Sequence, residues 1–385
     1  MEYKTIEELT TVVTGGTPST SKPEYWKNGN IPWLQSGCCQ NCEVNRSEKY
    51  ISKLGYDNSS AQMMPKNSVM VALTGATAGK IGYLNFEACG NQSITGIFPC
   101  NEINQRFLFY YLISQRNKIL DDCVGGAQPH ISQGYVKKIK VPIYNIEKQN
   151  RIVKRFDLIS NIIKNDEKEI EKYDDLIKAR FIEMFGDPAY NPKRWKTKRL
   201  LEMGECKNGM NFHYDDNGVE IKCLGVGDFK DLSVINNVEL LSTISLNELP
   251  SEEYLLKDND IVFVRSNGNK SLVGRSVVVY PGTNKTTFSG FCIRYRINDN
   301  AINVPYLLRV LKADSIRNKM IGRGANIQNL NQQLLSTLSI PIPPIELQNR
   351  FADFVKQVDK SKLAVQQSLE KTQQLFDSLM QEYFG

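Results

Sequence analysis

Two sets of polar, glycine-rich loops carry the chemistry available to this sequence, and that chemistry is hydrogen bonding rather than bond making. The first set is Thr74-Gly75-Ala76-Thr77-Ala78-Gly79-Lys80, then Asn91-Gln92-Ser93, then Gly125-Gly126-Ala127-Gln128-Pro129-His130-Ile131-Ser132. The second is Arg265-Ser266-Asn267-Gly268-Asn269-Lys270 with Arg275 just beyond, then Ser289-Gly290, then Gly322-Arg323-Gly324-Ala325-Asn326-Ile327-Gln328-Asn329. Glycine lets a backbone come close to a phosphate, and Lys or Arg neutralises it. Asn, Gln and Arg make the paired hydrogen bonds that tell adenine from guanine in the major groove. The candidate DNA contacts are therefore Thr74, Thr77, Lys80, Gln92, Ser93, Gln128, His130 and Ser132 in the first set. In the second they are Arg265, Ser266, Asn267, Asn269, Lys270, Arg275, Arg323, Asn326, Gln328 and Asn329. The same residue types build ordinary turns. Their recurrence at corresponding places in two halves of one chain is what favours nucleic acid.

Signals for an enzyme fail on inspection. Gly75 to Ile81 resembles a phosphate loop, but three residues separate its glycines where four are required. Ile81 also stands where a hydroxyl must reach the metal. Asn303-Val304-Pro305-Tyr306 is close to the Asn-Pro-Pro-Tyr loop of amino-methyltransferases. Its second position is wrong, no glycine-rich cofactor loop precedes it, and it runs into a helix start. Cys38, Cys39 and Cys42 have no second Cys or His pair at zinc spacing, and the chain holds only two histidines, His130 and His213. No catalytic residue and no metal ligand is assigned.

The totals fit this picture. A chain of 385 residues exceeds the size at which one core keeps growing, so two or more domains are expected. Nine scattered cysteines and an acid-containing start without an apolar run point to reduced thiols and a cytoplasmic location. No apolar stretch reaches membrane-spanning length. The net charge of +6 is unevenly placed. Residues 1–146 hold 14 basic and 11 acidic residues and 188–344 hold 20 and 15, excesses of +3 and +5. Residues 147–187 hold 9 and 10, and 345–385 hold 5 and 6, or −1 each. A polyanion partner of the two longer segments would explain this, as would ordinary solubilising charge.

The elements that position the loops come from a duplication. Pro142-Ile143-Tyr144-Asn145-Ile146-Glu147-Lys148-Gln149-Asn150-Arg151 matches Pro341-Ile342-Pro343-Pro344-Ile345-Glu346-Leu347-Gln348-Asn349-Arg350 at seven of ten positions, at an offset of 199. The register continues to Phe185-Gly186 against Phe384-Gly385, and Tyr3-Lys4-Thr5 matches Trp195-Lys196-Thr197 at an offset of 192. Apolar residues recur with a period of 3.5 at Ile152, Phe156, Ile159, Ile163, Ile170 and Ile177, and again at Phe351, Val355, Val358, Val365, Leu369 and Phe376. These are two coiled-coil seams. Asp166, Lys362 and Thr372 interrupt them with polar side chains. Each run of about 40 residues makes a helix roughly 60 Å long, the rise of about 17 DNA base pairs. A helix hairpin serving stability alone, or one that also docks a partner, would account for them. The stretches between read as mixed α+β. Short strands lie near Ser68–Leu73, Asp260–Val264, Ser276–Tyr280 and Phe291–Arg296, with helical periodicity over Arg106–Leu120 and Val304–Met320.

The duplicated helix entry, the Phe185-Gly186-Asp187-Pro188 exit leading to Asn191-Pro192-Lys193-Arg194-Trp195, and the Gly-Gly-Ala-Gln-Pro-His-Ile-Ser stretch at 125–132 resemble the specificity subunits of Type I restriction-modification systems over essentially the full length. The resemblance implies an α+β fold with a pseudo-two-fold repeat. Target-recognition domains over 1–146 and 188–344 would be held apart by an antiparallel coiled-coil pair, 147–187 and 345–385. It implies a non-catalytic subunit that reads a bipartite double-stranded DNA target, one half site per domain. Two modification subunits would dock on it, bring S-adenosylmethionine and methylate adenine, and restriction subunits could join. The second half departs from the pattern with Arg-Gly-Ala-Asn-Ile-Gln-Asn. A self-sufficient methyltransferase or nuclease would need a cofactor loop or an acidic metal cluster. A coiled-coil adaptor would give no reason for two unlike, Asn/Gln/Arg-rich domains.

Overall fold

A computed structural model describes residues 2–122, 130–212, 218–229, 233–321 and 329–385. The chain divides into two compact units, Met1–Glu167 with Gln366–Gly385, and Lys168–Val365.

Each unit is built on a five-stranded sheet of the same plan. In the first unit the order is Val12–Thr14, Ile94–Ile97, Val69–Ala72, Ile81–Leu84, Cys42–Val44. In the second it is Gly204–Asn208, Cys292–Ile297, Asp260–Val264, Ser276–Val279, Val234–Ile235. Neighbours are antiparallel except the last pair, which is parallel in both. The central strands carry runs apolar on both faces (Val69-Met70-Val71-Ala72 and Ile261-Val262-Phe263-Val264), and both strands are buried throughout. Such runs belong in a sheet covered on two sides. A smaller sheet covers one face in each unit, four-stranded in the first and three-stranded in the second.

In each unit a two-stranded ribbon joins the strand that precedes the globular body to the entry of a long helix. Glu2–Thr5 pairs with Lys140–Ile143, and Lys196–Arg199 with Ser339–Ile342. Tyr3 faces Pro142 and Thr197 faces Pro341. The equivalent of Tyr3 is thus Thr197, an offset of 194, and the offset of 192 read from Tyr3-Lys4-Thr5 is two residues short. Only Lys-Thr is identical there, and a two-residue match arises readily by chance. The hydrogen bonds Ile6 N to Ile139 O and Leu200 N to Leu338 O fix the true register.

The helical stretches after the sheets are each broken in two, Gln105–Ser114 with Arg116–Asp121, and Val304–Lys312 with Asp314–Ile321. In the second, Ala313 takes an extended conformation and so ends the first segment.

The two long helices, Ile146–Phe185 and Ile345–Phe384, are 40 residues each. Gly186 stops the first in a left-handed conformation (φ 77°), where an added Cβ would meet Pro192 Cγ at 2.4 Å. In the first unit Ile152, Phe156, Ile159, Met380 and Phe384 are buried, and the Phe156 ring lies 5.3 Å from Phe376. In the second unit Phe351 packs on Phe181 and Phe185, Phe354 faces Arg180, and Lys362 bonds Asp174 at 2.7 Å. Rising numbers on one helix meet falling numbers on the other, so the pair is antiparallel there. Ile177 and Val358 are also buried, whereas Ile163, Ile170, Val355, Val365, Leu369 and Phe376 are only half-buried. Two helices alone cannot enclose a seam. Full burial occurs where the seam also meets a sheet-backed core.

Candidate nucleic-acid interface

In both units three loops are stitched into one cluster at the end of the central strand. In the first, Leu73 N donates to Ser93 O at 2.9 Å and Ile131 N donates to Leu73 O at 2.8 Å. In the second, Arg265 N donates to Phe291 O at 2.8 Å and Leu330 N donates to Arg265 O at 2.7 Å. Thr74 bridges to His130, and Ser266 to Asn329. The hairpin below closes alike: Gly79 N bonds Ala72 O at 2.9 Å, and Gly274 N bonds Val264 O at 2.9 Å. Gly79 and Gly274 have φ of 71° and 76°, so glycine serves the turn here. The phosphate-loop likeness of residues 75–81 is a consequence of that turn. The backbone scaffold is duplicated; its side chains are not.

Within the first cluster Thr74 Oγ1 bonds Ser93 Oγ at 2.9 Å, and Gln92 accepts from the Thr17 hydroxyl. Thr77 and Lys80 are half-buried, and Lys80 Nζ bonds Gln40 Oε1 at 2.5 Å. His130 and Ser132 are exposed, but Ser132 caps the helix Gln133–Lys138, its hydroxyl accepting from Tyr135 N at 3.1 Å. In the second cluster Arg265 Nη1 donates to Gly290 O at 3.2 Å. Asn267 accepts from Asn269 N at 2.8 Å and Asn269 from Ser271 N at 3.0 Å, so each carboxamide oxygen takes one hydrogen bond from its own loop. Lys270, Asn269 and Asn329 are exposed, whereas Ser266 is half-buried. Gln128, Arg323, Asn326 and Gln328 lie outside the described residues. Arg275 stands apart from the loop tips. With Arg309, Lys312 and Arg317 it lines a cleft of about 480 Å³ that also holds Asp174 and Asp314. Burial, then the neighbouring Arg309, push the Lys312 ammonium down to about 8.

The motif at each helix entry has a role that residue type alone did not show. Gln149 and Gln348 are fully buried. Gln149 Oε1 accepts from Asn104 N at 2.7 Å and its amide donates to Tyr144 O at 2.8 Å. Gln348 Oε1 accepts from Asn303 N at 3.0 Å, and its amide donates to Pro343 O and Ala301 O at 2.8 and 2.9 Å. Asn303 also caps its own helix by accepting from Tyr306 N at 3.0 Å. The segment that resembled a methyltransferase loop is therefore a helix cap tied to the spacer. The first unit adds Arg106, which bonds Glu43 at 2.7 Å and Asp157 at 2.7–2.8 Å. These contacts lock each loop-bearing body to its long helix. Among the described residues, Cys38, Cys39 and Cys42 are free thiols, and no helix is long and apolar enough to cross a membrane.

Comparison with known proteins agrees with this arrangement. The family model for the Type I restriction modification DNA specificity domain matches residues 1–172 and 192–374. The specificity subunit of the Type I restriction enzyme EcoR124I/EcoR124II from Escherichia coli is 29% identical over 193 residues, 46% of this chain and 48% of that one. The MjaIX specificity subunit from Methanocaldococcus jannaschii is 23% identical across 98% of this chain and 91% of its own. A crystal structure of the Type I restriction-modification S subunit from M. genitalium shares the fold, with a TM-score of 0.58 at 17% identity, covering 100% of this chain and 96% of that one. With the family model spanning both halves, this chain belongs to the Type I restriction-modification DNA specificity subunits, whose members are not themselves catalytic.

Proposed function

We propose that the chain reads a bipartite double-stranded DNA target, with one half site for each loop cluster. The reading bodies are residues 1–146 and 188–344, and the spacers are 147–187 and 345–385. Two modification subunits dock on this frame, carry S-adenosylmethionine and methylate adenine, restriction subunits join for cleavage, and the complex works in the cytoplasm. The observation that carries the reading is the duplicated loop cluster, the same backbone hydrogen bonds around different side chains. That is what two readers of unlike sequences on one scaffold require. Recognition contacts are assigned to Thr74, Thr77, Gln92, Ser93, Gln128, His130 and Ser132 for one half site, and to Arg265, Ser266, Asn267, Asn269, Arg323, Asn326, Gln328 and Asn329 for the other. Lys80, Lys270 and Arg275 are assigned to phosphates.

Methylation-sensitive sequencing of DNA modified by the reconstituted complex tests this. A two-part motif with a fixed unspecified gap supports it. A continuous motif, or none, overturns it.

A further inference from the structure

The two clusters differ most at one turn. In the first unit Asn91-Gln92-Ser93-Ile94 closes with Ile94 N donating to Asn91 O at 3.1 Å, and Ser93 N bonds Asn91 Oδ1 at 3.2 Å. In the second, Ser289-Gly290-Phe291-Cys292 closes with Cys292 N donating to Ser289 O at 2.8 Å, and Phe291 N bonds Ser289 Oγ at 3.3 Å. The carbonyl of Ser93 accepts from Leu73 N, and that of Phe291 accepts from Arg265 N and Ser266 N. Ser93 and Phe291 thus hold the same place on the same scaffold.

Their side chains do opposite things. Ser93 is half-buried and bonded to Thr74. Phe291 is 61% exposed, the one exposed phenylalanine among the described residues. The turn does not need the ring, since serine suffices in the first unit. The fold does not bury it. What sets this ring apart from other exposed apolar side chains is its place, on the turn bonded to Arg265 and Ser266, where a ligand of the cluster could cover it.

We propose that Phe291 is a specificity-determining residue of the second reader, its ring lying against the 5-methyl group of a thymine in that half site. This rests on the reading of the clusters as DNA readers. The thymine methyl is the apolar mark that a major groove displays, and phenylalanine is among the side chains that recognise it. Arg265, bound through its backbone to the same turn, supplies polar contacts beside it. The first reader, with Gln92 and Ser93 there, makes no such apolar contact.

The test uses the chain assembled with its modification subunits and duplexes carrying its target. Each thymine of the half site read by the second unit is replaced in turn by deoxyuridine, which removes only the methyl. For the unaltered chain, one replacement weakens binding about three- to tenfold. With Phe291→Ser the thymine and uracil duplexes bind alike, while discrimination in the other half site and the melting temperature stay unchanged. Indifference of the unaltered chain to every replacement overturns the proposal, as does a second half site lacking thymine on both strands. A Phe291→Ser chain that still discriminates overturns it, and so does one that fails to assemble with the modification subunits, which would make the ring a protein contact. Strong 2-aminopurine fluorescence without a uracil effect would show a ring wedged between base pairs instead, and would also overturn it. If the unaltered complex cannot tell its target from a scrambled duplex, the reading of the clusters as DNA readers fails.

Discussion

Gln348 has no exposed surface and its carboxamide satisfies three backbone groups from two other segments, at Ala301, Asn303 and Pro343. Gln348→Leu leaves those groups buried and unpaired, so it costs about 2–4 kcal/mol in denaturant unfolding. A loss under about 0.5 kcal/mol would show that water replaces the clamp. Lys312 makes the opposite case. Its folded value of about 8 lies below the 10.5 of a free lysine, so the folded state binds its proton more weakly. The penalty is fully present below pH 8 and fades as pH rises toward 10.5. A shift of that size corresponds to roughly 3 kcal/mol. The stability of Lys312→Met relative to the unaltered chain should therefore be greatest near pH 7 and decline toward pH 10; a flat difference would contradict this. At this scale the sequence was only partly legible. Gln348 stood out by repetition, but its partner Asn303 is 45 residues away and no local pattern joins them. Asn267 and Asn269 stand out by residue type, but that each also accepts a backbone hydrogen bond from its own loop is not visible in composition.

Among elements, the long helices were the most legible, because a sustained 3.5-residue period without proline or glycine leaves few alternatives. Which seam positions sink deepest was not legible, since that depends on the sheets behind them. Phe156 and Phe351 are fully buried against those cores, whereas Leu369 and Val365 are half-buried on the helix pair. Phe156→Ala and Phe351→Ala should each cost about 3–5 kcal/mol, while Leu369→Ala or Val365→Ala should cost less than about 1.5 kcal/mol. Equal costs along the seam, measured by urea unfolding, would mean that the mid-helix packing is as tight as the ends. The strands were found near their true places, but pairing order was not, because parallel partners such as Val234–Ile235 and Ser276–Val279 carry no turn signal between them.

For the whole molecule, duplication was the feature that the sequence displayed best, and loop content is where its two halves part. Phosphate and base contacts should separate by their effects. Lys80→Ala and Lys270→Ala should weaken binding to all sequences alike and flatten its salt dependence by about one counterion each. A change in the motif itself, read from methylated DNA, would reassign them to base reading. Base contacts, by contrast, should be confined to one side of the gap and cost about 1–3 kcal/mol each. The most direct measurement is the methylated motif produced by two variant complexes, one carrying Arg265→Ala with Asn267→Ala and one carrying Gln128→Ala with His130→Ala. The account predicts that the first pair relaxes one half site and the second pair the other, each leaving its opposite half and the gap length intact. If either pair altered both half sites together, or neither pair altered any, the two-reader account would be contradicted.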